Sequence, residues 1–441
     1  MEAELTPSKP SASLVDAAVT AVDANWVSVE TGPPVNALLS ILKSIFRPAS
    51  PTDDPELFKG REQELSRVLS TVQELGQHAV IYGERGVGKT SLAYMARDGF
   101  KEGNPQALAV RIPCSADDNF SSTWKKFIPR LTKELDLWEA ADRDRVAAAA
   151  DKAEDLLDFN DVSPDTVVRA LNVISNRVPL LVTVDEFDRI GDPTATEPFA
   201  DVIKMASDDL MPATLLIVGV ADDVASLIAG HRSIERSMRQ IYMPRMSRDE
   251  LTRIVVDGFS TFSRRSGYAL SVDSDVVDAI VHLSQGFPYY THLLAGAVGE
   301  LAIRRSASSV DRGTVFDALF TAVEEATQSI RVSYTDAVTS PKQNAQFADT
   351  LLACALAPVD ELGFFAPADV AAPLASLLGV PRSTPDFLHH LKRFAAPPSW
   401  ILETRGEGRR ARYRFHNPLM KPFVLMKGVR DKRLSLEQAS R

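Results

Sequence analysis

The segment His78-Ala-Val-Ile-Tyr-Gly83-Glu84-Arg85-Gly86-Val87-Gly88-Lys89-Thr90-Ser91-Leu-Ala constrains this chain more than any other. It reads as an apolar strand, a glycine-rich turn of the pattern G-x-x-x-x-G-K-[ST], and a helix. The glycines let consecutive backbone N–H groups converge on phosphate oxygens without side-chain obstruction. The helix that follows adds the partial positive charge of its N-terminus. Lys89 is then placed to reach the β- and γ-phosphates of a nucleotide, and the Thr90 hydroxyl to ligate Mg²⁺. Residues Gly83 to Ser91 are therefore expected to cradle phosphate.

Around that segment, from Leu57 to about Pro244, β-like runs alternate with helical patterns. The expected strands are His78–Tyr82, Leu108–Ile112, Leu180–Val184, Leu215–Val220 and Gln240–Met243. Such alternation predicts a mostly parallel sheet wrapped by helices. One strand, Leu180-Leu-Val-Thr-Val, ends in Asp185-Glu186. In a parallel sheet this pair meets the phosphate loop at the carboxyl edge. Asp185 is placed for the Mg²⁺ shell and Glu186 to orient and deprotonate an attacking water, which is the chemistry of phosphoryl transfer to water.

The chain has 441 residues, 45% of them hydrophobic and 24% charged, enough for two or three domains with cores of their own. Its net charge of −10 is unevenly spread. Residues 390–441 carry 13 Lys and Arg against 4 Asp and Glu, a net +9, and the rest carries −19. A polyanion partner would accordingly meet the C-terminal end. Cys114 and Cys354 lie far apart with no metal or redox spacing, so neither a disulfide framework nor a thiolate metal site is expected. His389-His390 lacks further ligands at metal spacing. With no secretory leader and no run of 18 apolar residues, the chain reads as soluble, cytoplasmic and without membrane contact.

Before the sheet region, weak helical patterns at Leu14–Val22 and Val35–Phe46 precede a proline-rich linker. Leu38, Leu39, Leu42, Ile45 and Phe46 form one apolar face, expected to pack within the chain. About 136–161 the sequence is rich in Ala and Asp, with 9 Asp or Glu against 3 Lys or Arg, and reads as an exposed helical insertion. Helical periodicity dominates Ser247–Glu325. Three helices (Phe347–Leu356, Pro367–Leu378, Thr384–Phe394) then precede Trp400–Thr404, the turn Gly406-Glu407-Gly408 and Arg412–Phe415. That is the order of a winged helix-turn-helix. Strand alternation sets Tyr413 and Phe415 on one face and Arg412 and Arg414 on the other, with Arg405, Arg409 and Arg410 at the hairpin tip.

These residues resemble a family. Leu57-Phe-Lys-Gly60-Arg61-Glu62-Gln-Glu64-Leu65, ahead of the phosphate loop, resembles the N-terminal box of AAA+ ATPases of the origin-recognition and initiator clade, a box shared by STAND signalling ATPases. The resemblance implies an α/β P-loop NTPase core with a parallel sheet, a helical lid and a C-terminal winged helix-turn-helix. It divides the chain into an N-terminal extension (1–55), a core (56–246), a lid (247–340) and a winged-helix domain (341–441). It implies ATP and Mg²⁺ as cofactors and ATP hydrolysis as the activity, with Gly60 and Arg61 beside the base. Leu215-Leu-Ile-Val-Gly219-Val-Ala-Asp222 is similar to a sensor-1 strand, which gives Asp222 a part in placing the lytic water. Ser233-Ile-Glu-Arg236-Ser-Met-Arg239 resembles the stretch that holds an arginine finger, and a finger acting in trans implies a homo-oligomer. In the lid, Gly286-Phe287-Pro288 stands where initiators carry a sensor-2 arginine and is similar to STAND proteins, in which the proline contacts the nucleotide base and senses whether the lid is open or closed, so the resemblance implies that Pro288 faces the nucleotide. His292 is either a substitute for that arginine or, as a histidine on a helix face more often is, a structural residue.

Two functions follow from the resemblance. The first is an ATP-dependent protein that binds or loads onto double-stranded DNA through Arg405, Arg409, Arg410, Arg412 and Arg414, with salt-sensitive contacts to phosphate. The second is a STAND-like switch, as in bacterial antiphage defence, that oligomerises and binds an effector protein instead.

Overall fold

The computed structural model describes residues 33–52, 54–158, 162–192, 194–222, 224, 236–340, 345–360 and 362–439. Leu14–Val22 lies outside them. The first helix, α1 (Val35–Ile45), buries Leu38, Leu39, Leu42 and Ile45 on one stripe, and Phe46 is buried just after it. That stripe packs in cis, against two helices of the lid.

The central region builds in β/α order: α2 (Glu62–Val72), β1 (His78–Gly83), α3 (Lys89–Gly103), β2 (Leu108–Pro113), α4 (Phe120–Lys125), α5 (Phe127–Leu135), α6 (Ala140–Leu157), α7 (Pro164–Ser175), β3 (Leu180–Asp185), α8 (Thr196–Asp208), β4 (Ala213–Val220) and β5 (Met238–Tyr242). The five strands form one parallel sheet in the order β2-β3-β4-β1-β5. Every residue of β3 is buried, as its unbroken apolar run requires of a strand covered on both faces. Because the strands run parallel, the ends of β1, β3 and β4 open onto one edge, where βα loops gather.

The acidic stretch about 136–161 is helical over α6 but does not stand out as an exposed insertion. Val146, Ala149, Ala153, Leu156 and Leu157 are buried, and α6 packs along α7. Their spacing of three to four residues makes an apolar stripe, which the many surrounding carboxylates obscure in the sequence.

Five helices follow the sheet: α9 (Arg248–Ser266), α10 (Ser274–Ser284), α11 (Pro288–Arg304), α12 (Arg312–Glu325) and α13 (Gln328–Val338). The C-terminal region has α14 (Phe347–Leu356), α15 (Pro367–Leu378), α16 (Thr384–Phe394), the antiparallel hairpin β6 (Leu402–Arg405) and β7 (Arg412–Phe415), and α17 (Met420–Arg430). Phe365 bridges to Tyr413, adding a one-residue third rung that completes a winged helix. Tyr413 and Phe415 are buried and Arg412 is exposed, as alternation requires. The first wing strand starts later than expected. Trp400 has a φ of +33° and is 61% exposed, so the strand begins at Leu402.

Two apolar cores divide the molecule. One fills the sheet face covered by α4–α8. The other runs unbroken from α1 across the opposite face, through the lid and into the winged helix. The C-terminal domain thus shares one apolar core with α1, the lid and that face of the sheet.

Candidate functional site

At the carboxyl edge of the sheet the loop after β1 turns on three glycines. Gly83, Gly86 and Gly88 have φ of +144°, +85° and +96°, a region L side chains rarely adopt. A Cβ on Gly83 would also stand 2.4 Å from the Met243 carbonyl oxygen. Gly88 leads into α3, whose first N–H groups face the loop. Lys89 is buried and its Nζ donates to the carbonyls of Gly83 (3.0 Å) and Glu84 (2.7 Å), spanning the loop it is to serve. Burial pushes its pKa down to about 8, against the pull of the Asp188 and Asp185 carboxylates.

The loop opens on a cavity of about 860 Å³. Arg85 to Ser91 line it, with Asp185, Glu186 and Asp188 from the end of β3 and Gly219 from β4. Its other wall comes from the linker 47–52, Arg61, Ile254 of α9, Pro288 and His292 of α11, and Leu419 of the winged helix. Gly83 and Glu84 stand behind the cavity. The Glu84 carboxylate is held by Arg245 in a two-pronged ion pair (2.5 and 2.8 Å), and the same guanidinium lies over the Phe287 ring. Ser91 accepts the Thr52 N–H at 3.2 Å, which ties the linker to the start of α3.

The carboxylates are already engaged. Asp185 is buried. Its Oδ2 accepts from Arg111 of β2 at 2.6 and 2.9 Å, and its Oδ1 accepts the Glu186 N–H at 2.8 Å. Glu186 has a φ of +56°, which turns its side chain outward into an ion pair with Arg189 at 2.8 Å. Asp188 accepts the Val220 N–H at 2.7 Å, locking the turn after β3 to the end of β4. Arg111, Asp188 and Arg189 were not singled out from the sequence. Asp188 and Arg189 follow the Asp-Glu pair after Phe187, whereas Arg111 is brought in by the β2–β3 register.

These groups fit a magnesium ion. Thr90 offers a hydroxyl and Asp185 and Asp188 offer carboxylates, all hard oxygen donors on one cavity wall. Among the described residues no group of three or more His, Cys, Asp or Glu could cage a metal.

The remaining candidates are more dispersed. Arg61 lines the cavity and is buried, with its guanidinium on Glu64 (2.9 Å) and the Pro244 carbonyl. Gly60, at φ +82°, lies beside it, just outside the lining. Asp222 accepts from Arg414 of the wing at 2.9 Å. Arg236 is exposed; Arg239, on edge strand β5, pairs with Glu74 at 3.5 Å; neither lines the cavity. Pro288 Cγ stands 4.0 Å from where a Cβ on Gly88 would be. On the wing, Arg412 pairs with Asp360 (3.1 Å) and Arg414 with both Asp222 and Glu403. Arg405 and Arg410 are exposed and have no acidic partner among the described residues. The Arg409 side chain lies outside the described ones.

Comparison with known proteins places this geometry. Residues 57–218 match the family model of the AAA ATPase domain. No curated protein matches the chain. Among solved structures, the Aeropyrum pernix ORC1 protein in complex with DNA aligns at 17% identity over 89% of this chain and 97% of that one, with a TM-score of 0.47. A Walker-type ATPase of Pyrococcus abyssi aligns at 16% identity over 86% and 99%, with a TM-score of 0.49. The Thermotoga maritima RuvB Holliday junction branch migration motor aligns at 13% identity over 83% and 96%, with a TM-score of 0.41. The phosphate loop, the carboxylate-ended strand and most of the sheet lie in the matched segment, and the chain is an ATPase whose residues 57–218 match the AAA ATPase domain.

Proposed function

We propose that this ATPase binds Mg²⁺-ATP between core and lid and couples its nucleotide state to double-stranded DNA through the winged helix. The observation that carries the reading is the direct connection between wing and cavity. Leu419 abuts Gly86 of the phosphate loop, its carbonyl accepts the Tyr290 hydroxyl at 2.7 Å, and Arg414 reaches Asp222. On the outer side of the same domain, Arg405, Arg410 and Lys392 are exposed, a disposition suited to phosphate contacts.

In this reading the loop N–H groups and the α3 N-terminus hold the phosphates, and Lys89 leaves its two carbonyls for phosphate oxygens. Glu186 exchanges Arg189 for a water and takes its proton. Magnesium, bound by Thr90 and Asp185, would offset charge on the phosphates. Arg236 or Arg239, outside this chain's own cavity, would complete the site of a neighbouring copy in a homo-oligomer. Both cysteines are free and buried, as a reducing, cytoplasmic setting would keep them.

A second reading has its own support. Arg412 and Arg414 are held by acids of this chain, and the lid helix opens on Pro288 with no arginine in its first turns, as a STAND-like switch with an effector protein would. ATP turnover with and without double-stranded DNA, at low and moderate salt, separates the two, with Glu186→Gln as the blank. A rate raised by DNA and returned to basal by salt supports the first reading. A slow rate indifferent to DNA refutes it and favours the second.

A further inference from the structure

Arg111 lies on β2, and the parallel register sets it beside Thr183, two residues before Asp185 ends β3. From there its guanidinium reaches the Asp185 carboxylate, with Nε at 2.9 Å and Nη2 at 2.6 Å from Oδ2. The same guanidinium lies 5.4 Å from the centre of the Tyr94 ring on α3, a ring that also carries Arg97 at 4.8 Å. Two N–H donors on one oxygen and a cation–π contact hold Arg111 in one position. It does not line the nucleotide cavity. It lines a small crevice with Tyr94, Arg97 and Thr183, and so meets Asp185 from outside the cavity that Asp185 itself lines.

A carboxylate has about four lone-pair positions. Asp185 uses two on Arg111, both at Oδ2, and a third on the Glu186 N–H, at Oδ1. The position left at Oδ1 is the one a magnesium ion or its water would take. The partner behind a metal ligand is ordinarily a carboxylate or a carbonyl, which raises the ligand's basicity. Arg111 has the opposite sign. It compensates the buried carboxylate of the metal-free protein, and it repels a dication arriving on the same group, where screening is poor. Both effects favour the metal-free site.

We propose that Arg111 is a positioning residue that holds Asp185 in place and weakens its grip on magnesium, so that the ion is held loosely once only ADP remains in the cavity. The proposal rests on the reading of that cavity as a Mg²⁺-nucleotide site. It gives the chain a built-in way to let the ion go after hydrolysis without moving the lid.

Manganese binding to the ADP complex tests it, with free Mn²⁺ read by electron paramagnetic resonance, so that no turnover is involved. Arg111→Met removes the charge at similar length, Arg111→Gln removes it but keeps a donor, and Arg111→Lys keeps the charge. The expected result is Mn²⁺ bound about tenfold more tightly by Arg111→Met and Arg111→Gln, and within about twofold of the unaltered chain by Arg111→Lys. ADP affinity in EDTA should agree within about twofold in all four chains, which reports an intact fold and loop. Arg111→Gln serves should Arg111→Met fail to fold. Unchanged Mn²⁺ affinity in Arg111→Met and Arg111→Gln overturns the proposal and leaves a structural ion pair. Weaker Mn²⁺ binding, by about 10- to 100-fold, also overturns it and makes Arg111 an orienting partner of the ordinary kind. So does an equal gain in Arg111→Lys, because charge would then not be the cause. ADP complexes that take up no Mn²⁺ in any of the four chains overturn it too. If the unaltered chain binds no ADP, the nucleotide reading itself fails and this proposal with it.

Discussion

The two walls of the cavity proposed for ATP are made in different ways. The phosphate wall is one short run of chain, Arg85 to Ser91, shaped by glycines whose φ values no other residue adopts cheaply. The facing wall is assembled from the linker 47–52, α9, α11 and Leu419, segments that lie up to some hundreds of residues apart. The first wall is specified by its own backbone and needs only β1 and α3 to hold its ends. The second exists only while α1, the lid and the winged helix share their core. Damage to the first should therefore remove phosphate binding and leave the fold intact. Damage to the second should act through packing, and so affect stability and affinity together.

The largest effect is expected at Lys89. Lys89→Ala removes a buried cation that the phosphates would pair with, and ATP affinity should fall about a thousandfold, about 4 kcal/mol. Two loop carbonyls lose their donor, but the melting temperature should barely move, because a desolvated ammonium is removed with them. The lowered pKa of about 8 adds a pH signature. Phosphate oxygens favour the protonated lysine, so its bound-state pKa rises. Affinity should be flat below about pH 8 and weaken above it by up to about tenfold per unit. Titration calorimetry in buffers of different ionisation enthalpy should record proton uptake on binding above that pH. An ATP affinity independent of pH from 7 to 9.5 would remove Lys89 from the phosphate contacts.

Phe46 probes the assembled wall. Its ring is buried between Phe259, Gly258 and His292, and Gly258 and Gly296 leave room for it. Phe46→Ala should cost about 3 kcal/mol and lower the melting temperature by several degrees. Because Arg47 and His292 beside that ring line the cavity, ATP affinity should drop as well, whereas tripolyphosphate affinity should not. A Phe46→Ala chain with lowered stability but wild-type ATP affinity would show that the facing wall keeps its shape without α1.

That contrast also explains what was legible in the sequence. Four of the five strands were legible as short apolar runs bounded by turns, and β3 is buried on both faces without exception, whereas edge strand β5, Met-Arg-Gln-Ile-Tyr, is mostly exposed and starts two residues before the expected Gln240. The phosphate wall was legible because its chemistry is contiguous. The ion pairs were not: Arg111 meets Asp185 only through the β2–β3 register, and Arg245 meets Glu84 only once β5 lies beside β1. Nor could alternation foresee that Arg414, on the expected DNA-facing side of the wing, would turn to Asp222 and Glu403. The buried stripe of α6 was hidden by its acidic neighbours, whose charge describes only the outer face of that helix.

The smallest effect concerns the Arg414–Asp222 pair, the one ion pair between wing and core among the described residues. Asp222 is 52% exposed and Arg414 24%, so their pair at 2.9 Å is of the surface kind, with an expected coupling of about 0.5 kcal/mol. A double-mutant cycle with Arg414→Ala and Asp222→Ala, read by chemical denaturation, measures it. Glu403 remains beside Arg414 in the Asp222→Ala chain, so that single variant should be almost silent. Arg414→Ala should cost more, because the guanidinium also covers the Phe364 ring. A coupling well above 1 kcal/mol would mean that wing and core are held together by this contact as well as by their shared apolar core. The facing wall would then be fastened from both ends, and a wing drawn toward phosphate elsewhere would have to release Asp222 before it could leave.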